Sequence, residues 1–124
     1  MYQLTPELQA MNRLFTEARL KRENLAFFGT PGVSQGNSDY GFIPAFCDSV
    51  TGRVEISRLP NGLPAPIHMI EGLPQSWIVR RDATAKPTAI KHSVVAGFVR
   101  GGCFYTRAQA AEMVLAEMDN QAED

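Results

Sequence analysis

The sequence predicts an α+β domain: an antiparallel sheet of about four to six short strands, with an N-terminal and a C-terminal helix packed on it. Three observations predict it. Apolar residues recur at helical spacing only near the two ends of the chain. Between them lie short β-branched and aromatic runs divided by turn chemistry. The connections between those runs are too short for a crossover helix, so no βαβ unit and no Rossmann-type crevice is expected.

At the N-terminus, Thr5 suits a helix cap, Pro6 the first helical position and Glu7 the positive end of the dipole. Leu4, Leu8, Met11, Phe15 and Ala18 then follow at spacings of three and four, widened by Leu14. This predicts one amphipathic helix over about residues 6 to 24. The stretch Gly29 to Gly41 holds four glycines, one proline and no periodicity, and reads as a flexible loop.

The middle of the chain reads as hairpins. Phe42 to Cys47 is an apolar run in which Pro44 suggests an edge or a bulge. Asp48 to Gly52 is turn chemistry, and Arg53 to Arg58 alternates with Val54 and Ile56 inward. A second hairpin is predicted from Ser76–Arg81 through a polar turn to Thr88–Lys91. A third joins Ser93–Val99 to Cys103–Tyr105 through Gly101-Gly102. Its first half could alternatively be a short helix capped by Ser93.

Between the hairpins, Pro60, Pro64, Pro66 and Pro74 leave only Ile67-His-Met-Ile70 free to pair. The segment reads as a short edge strand or extended connector, with Ile67 and Met69 on one side and His68 and Ile70 on the other. A clipped apolar edge of this kind is also a candidate docking strip for a partner strand.

Thr106-Arg-Ala-Gln109 is a capping box opening the last helix. Ala108, Ala111, Leu115 and Met118 are its predicted buried face, widened by Val114. Residues 119–124 are predicted to fray as an acidic tail.

The 124 residues, 44% of them hydrophobic and 20% charged, suit a single folded domain spanning 1–124. A net charge of −1 selects neither nucleic acid nor a membrane surface. No secretory signal or bilayer-spanning run is present in the sequence, so a cytoplasmic location and reduced thiols at Cys47 and Cys103 are expected.

The chemical constellations are sparse. Cys47, His68, His92 and Cys103 make a nominal zinc set, but their wide spacing argues against a metal. Cys103 with His92 is the pairing to weigh for a Cys–His enzyme, and no local signature surrounds either cysteine. Gly-Thr-Pro-Gly-Val-Ser-Gln-Gly lacks the lysine of a phosphate loop. No cofactor is implied. From Ser76 to Arg107 six basic residues (Arg80, Arg81, Lys86, Lys91, Arg100 and Arg107) face one acid, Asp82, with Trp77, Phe98, Phe104 and Tyr105 among them. Bases interleaved with aromatics are how single-stranded nucleic acid is held, which makes it the second partner class.

The reading that results is a small non-catalytic interaction domain. Its partner is another protein or its own copy, and Trp77, Arg80, Arg81, Arg100 and Ile67 are the predicted contact residues.

Overall fold

The computed structural model describes residues 14–122. Strand β1 (Phe15–Thr16) leads into helix α1 (Glu17–Ala26). A short helix α2 (Ser34–Asn37) and a 3-10 turn (Ser38–Tyr40) precede strands β2 (Ile43–Asp48) and β3 (Val54–Ile56). After a long connector, the 3-10 turn Gln75–Trp77 opens β4 (Ile78–Arg81), followed by β5 (Pro87–Ile90), β6 (Val94–Arg100), β7 (Cys103–Thr106) and α3 (Arg107–Ala122). The fold is α+β, as expected, but its strands form two antiparallel sheets. One has the order β1-β5-β4 and the other β3-β2-β6-β7.

All three predicted hairpins are present. β2 pairs β3, β4 pairs β5 and β6 pairs β7. Gly101 and Gly102 carry φ of +60° and +80° in the last turn, a two-residue connection that side chains would strain. The segment from Ser93 is therefore strand rather than helix. The capping box also forms as read: Thr106 N donates to Gln109 Oε1 at 2.9 Å, and Gln109 N donates to Thr106 Oγ1 at 3.2 Å.

Four expectations are corrected. The N-terminal helix does not run through residues 14–16. Phe15 pairs with Ile90 and Thr16 with Ala89, so the edge of β5 claims these residues as strand. Thr16 then caps α1, its Oγ1 accepting from Arg19 N at 3.1 Å. The predicted cap at Thr5 and Pro6, and Leu4, Leu8 and Met11, lie outside the described residues. The 29–41 segment is not a featureless loop but two helical turns. Asn37, fully buried, pins them by donating from Nδ2 to Pro31 O at 2.7 Å.

Pro44 sits on an interior strand, where its carbonyl accepts Ser57 N at 2.8 Å. Lacking an N–H, it returns nothing to Ser57 O, which instead accepts Ala65 N at 2.9 Å. The proline thus ends the β2–β3 ladder and hands the chain to the connector. Finally, α3 continues to Ala122 and buries Arg107, Ala110 and Val114, while Leu115 and Met118 stay half exposed. β7 runs into α3 without a loop, and this sets the helix phase one position away from the predicted stripe.

One face of the four-stranded sheet carries the core. Phe46, Ala96 and Val94 pack with Phe15, Leu20, Ile70, Leu73, Trp77 and Ile90, joining both sheets and α1. Phe98 and Phe42 pack with Ala110 and Val114 of α3. On the opposite face the Phe104 ring lies over Gly97, where a Cβ would press into that ring and into Tyr105 O. Gly97→Ala is therefore expected to destabilise by about 1–3 kcal/mol, although alanine suits an extended φ. Urea unfolding of the variant checks this.

Candidate functional site

The segment from Pro64 to Ile70 is an extended connector laid beside the sheet. Ser57, fully buried, holds it there: its hydroxyl donates to Ile67 O at 2.8 Å and accepts Met69 N at 2.7 Å. The alternation read from the sequence is kept. His68 and Ile70 point inward and are buried, while Ile67 is 58% exposed.

His68 stands between the two parts of the core, edge-on to Phe46 at 5.3 Å and to Phe98 at 5.0 Å. Its Nε2 lies 2.6 Å from Gly97 O. A carbonyl can only accept, so Nε2 carries the proton and Nδ1 presents a lone pair. That lone pair faces Arg107 Nη2 at 3.3 Å. Burial first, and the Arg107 charge second, push the imidazole down to about 4, so it is neutral at pH 7.

Arg107 is the first residue of α3 and only 4% exposed. Nη1 donates to Gly32 O at 3.0 Å and Nη2 to Asn24 Oδ1 at 2.6 Å. Nε is buried without an acceptor. These groups border a hollow of about 260 Å³ walled by Phe28, Val33 and Ile67, with Ser34 and Gln35 at its side. Phe28 and Leu25, at the end of α1, are each 74% exposed.

A second feature is the outer face of the four-stranded sheet. The pairing registers place Ile43, Val54, Ile56, Val95, Val99 and Phe104 together on it, around Ala45 and Gly97. Val54 and Ile56 therefore face away from the core and not inward as their alternation predicts: it is Glu55 that pairs with the core residue Phe46. No charged residue occupies a paired position on this face. Ile43 is 44% exposed and Val54 38%. Cys47 is part of it, and burial, then the Asp48 charge, push its thiol upward, away from the reactive thiolate.

The predicted contact residues do not converge. Trp77 is 2% exposed and belongs to the core, so it offers no surface anchor. Arg80 and Arg81 are exposed on β4. Arg100 is a structural clamp, pairing with Glu117 at 2.9 Å and lying over the Phe42 ring at 4.3 Å. Ile67 stands at the mouth of the hollow.

The basic stretch is likewise dispersed. Lys86 meets Glu71 and Glu17, Lys91 meets Asp48, and Arg107 is buried. Trp77 and Phe98 are buried and present no stacking face to a nucleic acid. Cys103 pairs opposite Arg100, whereas His92 precedes Val94 at the other end of β6, about 20 Å away along the strand. Cys47 and His68 lie on opposite faces of the sheet. Among the described residues no three His, Cys, Asp or Glu side chains gather as a metal site, and no helix is long and apolar enough to cross a membrane.

Sequence reasoning missed Arg107 as a buried group and the outer sheet face as a unit. The face had a signal: Val54 and Ile56, Val95 and Val99 alternate, but so do core positions, and only the registers reveal which side is covered. For Arg107, directly behind a capping Thr, no local signal exists. No protein-family model, curated protein or solved structure matches this chain.

Proposed function

We propose that this domain is a non-catalytic interaction module that works as a self-associating unit, burying the outer face of its four-stranded sheet against a second copy. The observation that carries this reading is an apolar face with no charge at its paired positions, on which Ile43 and Val54 stand at 44% and 38% exposure around Ala45 and Gly97, themselves already buried. Surfaces meeting transient partners keep about the ordinary share of polar area, whereas homodimer interfaces are more apolar. A two-fold axis through such a face stacks two sheets as in a sandwich, each strand row meeting its own equivalent.

Light scattering after size exclusion tests the reading. The wild-type chain is expected to elute as a dimer at micromolar concentration. Ile43→Glu and Val54→Glu, both at half-exposed positions, are expected to give monomers with unchanged circular dichroism. A wild-type monomer at high micromolar concentration, or a dimer indifferent to both substitutions, overturns it.

A further inference from the structure

We propose that the hollow beside Arg107 is a binding site for a small monocarboxylic acid with an apolar body. Arg107 is the starting point. Its guanidinium is 4% exposed, yet no carboxylate pairs with it among the described residues. The three partners it has are all neutral: Gly32 O, Asn24 Oδ1 and the His68 Nδ1 lone pair. Glu23 on α1 supports the charge without a hydrogen bond to it: Oε1 lies 3.6 Å from Arg19 Nε, and Oε2 is buried with no hydrogen-bond partner.

A guanidinium has five N–H donors, so the fold leaves donor capacity over, Nε included. A buried cation with no anion in hydrogen-bonding contact is costly. The position compounds the cost, because the first turn of α3 already carries the positive end of the helix dipole, the end that favours an anion. The desolvation of the guanidinium is complete before any ligand arrives, so a carboxylate entering the hollow loses only its own hydration and gains charge-assisted hydrogen bonds.

The rest of the hollow selects the ligand. About 260 Å³ is small, and Phe28, Val33 and Ile67 give it an apolar wall. One cation matches one negative charge. The adjacent imidazole is neutral and adds none, which favours a carboxylate over a phosphate dianion.

The test compares hexanoate with hexanamide, which shares its shape and lacks its charge, on the full-length chain with ¹⁵N-labelled arginine and backbone. Hexanoate is expected to shift the Arg107 Nε–Hε resonance and the Ser34 and Gln35 amides saturably. Hexanamide should bind about 10- to 100-fold more weakly. Arg107→Lys should retain weakened binding, and Arg107→Met should lose the preference for the acid. The wild-type comparison stands even if Arg107→Met fails to fold. Equal shifts from acid and amide, no saturable shift from either at millimolar concentration, or inorganic phosphate binding more tightly than hexanoate each overturn the proposal.

Discussion

Trp77→Ala is expected to cost about 3–5 kcal/mol of unfolding free energy, enough to remove much of the stability of a domain this size. The indole is 2% exposed and packs among Phe15, Ile70, Leu73 and Ile90, where the two sheets and the connector meet. Arg53 covers the ring at 5.9 Å from its centre. The residue's main chain is also engaged, its carbonyl accepting Lys91 N at 2.9 Å across the start of the β4–β5 hairpin. Truncation leaves a cavity that three separate elements would have to close together. Urea titration followed by circular dichroism reads the loss. A cost under about 1 kcal/mol would contradict the packing described here.

The second large effect is a loss of stability in mild acid. In the unfolded chain His68 titrates near 6.5, whereas in the fold it is held down to about 4. Between those values the unfolded state binds a proton that the folded state refuses. Stability therefore rises with pH across this window and is fully present only above about 6.5. Acidifying from pH 7 to pH 4 is expected to remove about 3 kcal/mol. Protonation would place a cation against Arg107 Nη2, 3.3 Å away, and take away the lone pair that Nη2 uses. His68→Gln, which can still donate to Gly97 O, should flatten the dependence between pH 6.5 and pH 4. Unfolding midpoints at half-unit steps decide it: an unchanged slope in the variant assigns the acid sensitivity to other groups. Asp48 and Asp82 act elsewhere. Main-chain and side-chain donors hold their carboxyls below the ordinary range, so their contributions fade only at lower pH.

What the sequence made legible was local. Gly101-Gly102, Asp48 to Gly52 and the Thr106/Gln109 pair each act within a few residues, and each formed as read. The inward turn of His68 and Ile70 also followed from alternation between prolines. The failures are all long-range. Phe15 fits a helical stripe until the distant Ile90 offers a strand partner. The six bases between Arg80 and Arg107 look like a patch until Glu17, Asp48, Glu71 and Glu117 arrive from other elements to neutralise three of them. Trp77 looks like an anchor because no local pattern reports that a second sheet will close over it. The candidate sites depend on such distant pairings more than any single element does. One is a sheet face defined by registers, and the other a hollow built by α1, the 29–37 turns, the connector and α3.

The absence of any linker between β7 and α3 has a mechanical consequence. Phe104 on the outer sheet face and Arg107 in the hollow are separated by two residues, Tyr105 and Thr106, with the helix cap closed across the junction. Strand and helix follow one another with no loop residue between them, and the two cap hydrogen bonds tie the last strand residue to the first helical turn, so one short stretch of backbone fixes the placement of both the phenyl ring and the guanidinium.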